Sequence, residues 1–227
     1  MQQANDIPYD KEIERKAIHL SSIAIPIAYY YLPRALTLEI LVPVAVLSLA
    51  LDIGRYYNPA IARWFYATFK HLLRPHELDT KRKLLSGATY VFVSAVICVS
   101  IFPKLITVAA FSVLIVSDTA AALIGRRYGK TKFFQKSREG AIAFFISALL
   151  VIAVIPKLQS DIAVYIATAI SAFVATIVEA ASIVLRVDDN LAVPLSMGCT
   201  MWALMYFLSA IFPERYEVLY TAIVGWK

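Results

Sequence analysis

The sequence predicts an all-α protein that crosses a membrane several times. Of its 227 residues, 60% are hydrophobic and the mean hydropathy is +0.68, values too high for an ordinary soluble domain. The apolar residues form runs of about 20 positions, the length of a helix that spans a bilayer. The loops between the runs are alternately rich and poor in basic residues. These observations predict a single polytopic domain over residues 1–227.

Seven stretches are apolar and long enough to be predicted as spans, although the first and the fifth are short. They cover about 17–33, 35–53, 84–102, 105–124, 140–156, 160–185 and 190–212. The residues before position 17 are polar, and no small-residue cleavage site follows the first run. We therefore expect the first run to be a retained helix and not a cleaved signal.

Lysine and arginine are concentrated before the first span, in loops 54–83 and 125–139, and at Arg186. The connections on the other side hold the few remaining basic residues: Arg34, Lys104, Lys157, Arg215 and Lys227. Because basic loops stay in the cytoplasm, the pattern predicts a cytoplasmic N-terminus and an outer C-terminus. The net charge of +6 needs no nucleic-acid partner to explain it, because the basic residues flank membrane spans, where anionic lipid headgroups attract them. The sequence has no nucleic-acid motif, so we predict no nucleic-acid partner.

An amphipathic helix is predicted between the second and third spans. Asn58 and Pro59 form an N-cap followed by proline at the first helical position. Basic and apolar side chains then take opposite faces: Arg63, Lys70 and Arg74 against Ile61, Phe65 and Leu72, with Trp64 and Phe69 widening the apolar face. We expect this helix to lie on the membrane and to end at Arg74-Pro75. A structural anchor is the favoured role, and shaping a lipid entrance is the alternative.

Asp118 is the most informative residue, because it follows the apolar run VLIV at membrane depth. A carboxylate in hydrocarbon is rare and is a functional candidate by default. Gly125 and Gly129 follow, and then a basic loop: Arg126, Arg127, Lys130, Lys132, Lys136 and Arg138. Cations and glycine-exposed N–H groups suit a polyphosphate, and a carboxylate suits the accompanying Mg²⁺. The alternative is an ion pair between Asp118 and a nearby arginine.

Other unusual polar residues fall at the same cytoplasmic depth of the predicted spans. They are Arg15, Lys16, His19, Lys83, Ser86, Gly87, Ser137, Glu139, Gly140, Glu179, Asp188, Asp189 and Asn190. Taken singly, His19 could be a bundle histidine, Glu179 an ion-pair partner and residues 188–190 a helix-capping turn. Together they offer acids for metal and proton chemistry and cations for phosphate. This composition indicates phosphoryl or nucleotidyl transfer to a lipid.

These residues resemble the family of polyprenol/dolichol kinases, phytol kinases and CTP-dependent diacylglycerol kinases. The resemblance covers residues 15 to about 212, and residues 118–140 carry its most specific part. Its motifs are Arg15-Lys16-x-x-His19, Lys83 with Ser86-Gly87, Asp118-x-x-Ala121-x-x-x-Gly125-x-x-x-Gly129-Lys130, Lys136-Ser137-x-Glu139-Gly140, Glu179, and Asp189-Asn190-x-x-x-Pro194. CDP-diacylglycerol synthases share the nucleotide-side pattern. The glycine spacing is one residue short of a P-loop, so the protein is not a Walker ATPase.

The resemblance implies transfer of the γ-phosphate of CTP to a membrane lipid alcohol. The hypothesis for the metal is that Asp118, with Asp189 or Glu179, holds Mg²⁺ on the triphosphate. For the proton acceptor, Glu179 is the first choice and His19 the second. Phosphate would be neutralised by Arg15 and Lys16 and held by the remaining predicted contacts: Lys83, Gly125, Gly129, Lys130, Lys136, Ser137, Arg138, Glu139, Gly140 and Asn190.

Two other functions stay open at this stage. A cytidylyltransferase would use the same nucleotide site but take a lipid phosphate and release pyrophosphate. A transporter or lipid scaffold is disfavoured, because its ionisable residues should lie near the midplane within repeats. The sequence does not identify the lipid alcohol or the oligomeric state, and cytosine follows from the resemblance alone.

Overall fold

The computed structural model describes residues 8–70, 73, 77–78, 83–155 and 161–214. Their regular structure is helical except for one short hairpin, which confirms the predicted all-α fold. The helices are α1 (Tyr9–Ser21), α2 (Ala24–Tyr31), α3 (Arg34–Gly54), α4 (Pro59–Phe69), α5 (Gly87–Ile101), α6 (Lys104–Tyr128), α7 (Arg138–Val154), α8 (Ile162–Leu185) and α9 (Asp189–Ile211). The hairpin pairs β1 (Lys132–Phe133) antiparallel with β2 (Lys136–Ser137).

Within the described residues, four helices are long and apolar enough to cross a membrane: α3, α6, α8 and α9. Helix α5 is a shorter apolar helix. The chain is therefore a multi-pass membrane protein. The number of seven spans and the cytoplasmic position of the N-terminus stay predictions.

The first predicted span, at 17–33, is not one continuous helix. It is divided by a turn at Ser22 and Ile23 between α1 and α2, and α1 already begins at Tyr9. Pro26 lies in the first turn of α2, where the missing N–H group costs no helical hydrogen bond. Residues 9–16, which are mostly polar and were predicted to precede the span, are therefore helical and continue without a break into its first residues.

Helix α4 exists where the amphipathic helix was predicted. The Asn58 side chain accepts a hydrogen bond from the Ala60 backbone N–H at 2.8 Å, as an N-cap does. Phe65 is buried, and its ring lies 4.6 Å from the guanidinium carbon of Arg55 at the end of α3. The predicted end at Arg74-Pro75 lies outside the described residues, and the position of α4 at the membrane surface stays a prediction.

Helix α6 lies at the centre of the bundle. It packs against α1, α2, α7 and α9, and every side chain from 106 to 115 is buried. The helix continues to Tyr128, beyond the predicted end near 124, with Arg126 and Arg127 in the last turn, where cations interact favourably with the helix dipole. Asp118 consequently lies about three turns from the end of α6, inside the bundle.

Candidate active site

Three carboxylates from three helices meet inside the bundle. Asp118 is on α6, Glu179 is on α8, and Asp189 begins α9; each is at most 7% exposed. One oxygen from each carboxylate lies within 4.8 Å of the others. A tight turn places the second and third acids together, because α8 ends at Arg186 in the left-handed conformation and the Asp188 side chain caps α9. We call these three residues the acid cluster.

Two lysines from different parts of the chain pair with the acid cluster. Lys16 on α1 donates a hydrogen bond to Asp118 and is 1% exposed. The Lys136 Nζ atom lies 2.5 Å from Glu179 Oε1 and 3.2 Å from Asp189 Oδ2. His19 Nε2 is 3.5 Å from Asp118 Oδ2. Buried charges require such partners, and with all three carboxylates ionised the two ammonium groups would leave a formal negative charge that favours a further cation.

The side chain of Lys136 stays protonated beside the acid cluster. Burial alone would lower the pKa of its ammonium group, but the carboxylates of Asp189, Glu179 and Asp118 raise that pKa above its ordinary value. Lys136 therefore stays positively charged throughout the physiological pH range. It is a permanent cation at the edge of the acid cluster.

The β1–β2 hairpin carries Lys136 to the cluster, and three glycines let it approach. A Cβ on Gly125 would lie 2.8 Å from Ser137 Oγ, and one on Gly140 would lie 2.9 Å from the Ala121 carbonyl oxygen. A Cβ on Gly129 would lie 2.7 Å from the Ser137 Cβ. Sequence reasoning assigned Gly125, Gly129 and Gly140 to phosphate contacts. The structure shows that these glycines also allow the hairpin and α7 to pack closely against α6, which sequence reasoning missed. Their role in binding phosphate stays a prediction.

Arg15 is held beside the site by an acid that sequence reasoning did not single out. Its guanidinium is 2.6 Å from the carboxylate of Glu12, which is 1% exposed and also lies 3.7 Å from Arg126. Burial raises the pKa of Glu12, but Arg15, Arg126 and Lys16 bring that pKa below its ordinary value overall. The signal was present in the sequence, since Glu12 precedes Arg15 by one helical turn.

The other predicted nucleotide contacts lie in several different environments. Asn190 is buried and donates to Asp188 Oδ1 at 2.8 Å, while its own Oδ1 has no hydrogen-bond partner among the described residues. Glu139 accepts a hydrogen bond from the Thr131 N–H, and Lys83 donates to the Tyr57 hydroxyl at 3.2 Å. Lys130 and Arg138 are exposed.

A second polar group lies where α3 meets α5, and sequence reasoning missed most of it. Asp52 and Arg55 form a fully buried ion pair at 2.9 Å. Asp52 also accepts the Ser86 N–H, and Glu77 accepts the Gly87 N–H, so both carboxylates cap the start of α5. The predicted Ser86-Gly87 motif therefore binds protein carboxylates in this structure. The sequence did contain a signal for this ion pair, because Asp52 lies at the end of an apolar run, three residues before Arg55.

Comparison with known proteins identifies relatives across most of the chain. An uncharacterised protein of Rickettsia prowazekii is 30% identical over 88% of this chain and 98% of its own length. CTP-dependent diacylglycerol kinase 1 of Schizosaccharomyces pombe is 27% identical over 68% of this chain and 74% of its own. Probable phytol kinase 2, chloroplastic, of Glycine max is 32% identical over 52% of this chain and 45% of its own. No family model and no solved structure matches the chain.

Proposed function

This chain belongs to the family of membrane proteins that contains CTP-dependent diacylglycerol kinase and phytol kinase, and we propose that it phosphorylates a membrane lipid alcohol with CTP. The products are a lipid monophosphate and CDP. The observation that carries the proposal is the buried acid cluster, with Lys16 and Lys136 against it, inside apolar helices. Such a site has the charges that phosphoryl transfer requires and the bilayer that supplies a lipid acceptor.

The acid cluster fits a divalent cation, and Mg²⁺ is the proposed ion. Asp118, Glu179 and Asp189 each offer one carboxylate oxygen, the ligand type that Mg²⁺ prefers. When bound with the nucleotide, the ion supplies charge neutralisation for the β- and γ-phosphates.

The lysines have a double role in this proposal. In the structure Lys16 and Lys136 neutralise the carboxylates of the cluster. With a metal-bound triphosphate in the site, the carboxylates would pair with the cation and the ammonium groups would be free to pair with phosphate oxygens. We propose that Lys16, Lys136 and Arg15 then turn to phosphate oxygens and neutralise the charge of the transferred group.

The remaining steps concern the proton and the nucleotide. The lipid hydroxyl oxygen forms a bond to the γ-phosphorus, the bond from that phosphorus to the β–γ bridging oxygen breaks, and CDP leaves with the electron pair. Glu179 accepts the hydroxyl proton, with His19 as the second choice. The exposed Lys130 and Arg138 and the start of α7 at Ser137 to Gly140 line the approach for the triphosphate. In this proposal the site opens to the cytoplasm, as the basic loops predict.

The deciding experiment supplies full-length purified protein in nanodiscs with γ-labelled CTP or ATP, Mg²⁺, a panel of lipid alcohols and, separately, a panel of lipid phosphates. We expect label in a lipid monophosphate, with CTP preferred and CDP formed in equal amount. A product that contains cytidine, together with pyrophosphate, would instead identify a cytidylyltransferase. Absence of transfer to every alcohol and every lipid phosphate would contradict both enzymatic functions.

A further inference from the structure

A buried carboxylate on α1 lies one helical turn before the lysine that contacts the acid cluster. Glu12 is 1% exposed and precedes Lys16 by four residues, which places both side chains on one face of α1, about 6 Å apart along its axis. That face packs against α6, where Lys16 meets Asp118. Glu12 meets Arg126, eight residues further along α6. Glu12 therefore lies beside the acid cluster but belongs to a separate group of charges.

This group consists of Glu12 and two guanidinium groups, those of Arg15 and Arg126, which we call the arginine pair. Arg15 donates from Nη2 to Glu12 Oε1 at 2.6 Å and from Nε to Oε2 at 3.2 Å, so one edge of its guanidinium is engaged. The Arg126 Nη2 atom lies 3.7 Å from Glu12 Oε2, which is an ion pair without a hydrogen bond. One carboxylate thus faces two cations, and the group has an excess of positive charge.

The arginine pair is accessible to solvent, whereas the acid behind it is not. The side chain of Glu12 is 2% exposed, against 18% for Arg15 and 30% for Arg126. The Nη1 group of Arg15 makes no hydrogen bond to any of the residues that the structure describes, so this edge of the guanidinium keeps its donors. An anion that arrives from solvent would therefore meet guanidinium groups and not the carboxylate.

A buried acid between two guanidinium groups has a specific physical effect. The two cations repel each other, and the carboxylate between them allows both to stay in place before any ligand binds. Donors that are fixed in advance cost little reorganisation when an anion arrives, so they bind it more tightly than mobile ones. The acid does not need to touch the anion to have this effect.

We propose that Glu12 is a positioning residue that holds Arg15 and Arg126 as a two-guanidinium clamp for the triphosphate of the nucleotide. The proposal rests on the proposed function, and it adds Arg126 to the phosphate contact already given to Arg15. A polyphosphate fits the arginine pair, because a guanidinium can offer two parallel N–H donors to phosphate oxygens. Since Lys16 directly follows Arg15 in the chain, one triphosphate bridges the acid cluster and the arginine pair.

Binding of inorganic tripolyphosphate with Mg²⁺ to full-length protein in nanodiscs tests the clamp without turnover. Glu12→Gln keeps the shape of the side chain but presents one acceptor and an amide NH2 group to Arg15, and we expect the Kd to rise about tenfold. Simple electrostatics predicts the opposite sign, because loss of a negative charge beside an anion site should lower the Kd. Glu14→Gln is the control, since it removes the same charge from a side chain of α1 that is 45% exposed. An unchanged or lower Kd in Glu12→Gln would overturn the proposal.

Arg126→Lys tests the clamp in a second way, because it keeps the charge and removes the planar pair of donors. We expect the Kd for tripolyphosphate and the KM for CTP each to rise about tenfold, with the KM for the lipid alcohol unchanged. Arg127→Lys is the matched control at the next position, where the guanidinium carbon lies 5.5 Å from the ring centre of Tyr128. Equal values in the two lysine variants would contradict the clamp. Because Arg126 is partly exposed, this test stands even if Glu12→Gln does not fold.

A purely structural role for Glu12, as a tie between α1 and α6, has its own signature. It would lower the melting temperature of Glu12→Gln and leave the Kd for tripolyphosphate unchanged in both Glu12→Gln and Arg126→Lys, which would reject the clamp.

Failure of the clamp and failure of the proposed function are distinguishable. Tripolyphosphate binding that depends on Glu12 and Arg126, without phosphoryl transfer to any lipid, would support the clamp and reject the kinase function. Phosphoryl transfer from CTP, with unchanged binding in both variants, would support the kinase function and reject the clamp.

Discussion

At the scale of single residues, the site consists of buried charges that hold one another. Asp118 inside an apolar helix is stable because Lys16 and His19 contact it, and Glu179 and Asp189 share Lys136. Removing one partner of a buried pair leaves an uncompensated charge, which costs about 3–5 kcal/mol. The activity of any variant at these positions should therefore be compared with its melting temperature, because loss of the fold would also abolish activity.

Asp118→Asn should lower the rate of phosphoryl transfer by about a hundredfold or more, because the acid cluster loses a metal ligand. The protein should still be folded and inserted, which gel filtration and its melting temperature would show. Asp161→Asn is the control, because it makes the same chemical change at the N-cap of α8, and asparagine is an equally good cap. Wild-type activity in Asp118→Asn would remove this residue from the site.

Lys136→Ala should raise the KM for CTP by about tenfold or more, because an ammonium group that contacts phosphate is lost. The KM for the lipid alcohol should change little. Lys132→Ala, on the exposed strand of the same hairpin, controls for loss of a basic charge nearby. Equal effects of the two variants on CTP would indicate general electrostatic attraction and no specific contact.

At the scale of elements, the close approach of α6, α7 and the hairpin determines where Lys136 lies. Ser137 both ends β2 and caps α7, with its Oγ accepting the Gly140 N–H at 3.1 Å. Gly125 of α6 faces the same serine. A change of less than an ångström in this packing would move Lys136 relative to Glu179. The glycines are therefore positioning residues for the cluster.

Gly140→Ala should destabilise the protein by about 1–3 kcal/mol and lower its activity. The new Cβ would lie 2.9 Å from the Ala121 carbonyl oxygen, a backbone atom that moves only with α6. Gly54→Ala is a matched control with the same distance of 2.9 Å, but to the flexible end of Ile61. Melting temperatures of both variants in one detergent test this difference. Equal stability of the two variants would show that α6 and α7 can separate freely.

At the scale of the whole molecule, the site forms only when the bundle closes. The acid cluster needs α6, α8 and α9, while its cations come from α1 and from the hairpin. No pair of neighbouring helices contains it. Folding, metal binding and activity should therefore be coupled, because a ligand that binds only the folded protein stabilises it.

Mg²⁺ should raise the melting temperature of the wild-type protein, in proportion to the logarithm of its concentration above the Kd. At a hundred times the Kd the stabilisation is about 2.7 kcal/mol. The shift should be absent in Asp118→Asn and should disappear after EDTA in the wild type. The same shift in both proteins would place Mg²⁺ outside the acid cluster.

Sequence patterns were sufficient for the all-α fold and for singling out the three acids that the bundle brings together. Runs of apolar residues predict helices because their length and period depend only on neighbours in the chain. Asp118, Glu179 and Asp189 were recognisable for a related reason: an acid in or beside an apolar run is costly wherever the run packs. The break in the first predicted span, at Ser22 and Ile23, was not predicted, although Ser21, Ser22 and Pro26 lie beside it, because serine and proline are also tolerated inside membrane helices.

The pairings came from the packing of helices and could not be read from the chain. Lys16 meets Asp118 across 102 residues, and Lys136 meets Glu179 across 43. Several lysines and arginines were equally plausible partners, because charge attracts without regard to sequence position. The position of Lys136 depends on how closely the glycine-lined surfaces of α6 and α7 approach, and that of Lys16 on how α1 packs against α6. That approach is a property of the assembled bundle, since steric fit between distant segments exists only after they are in contact.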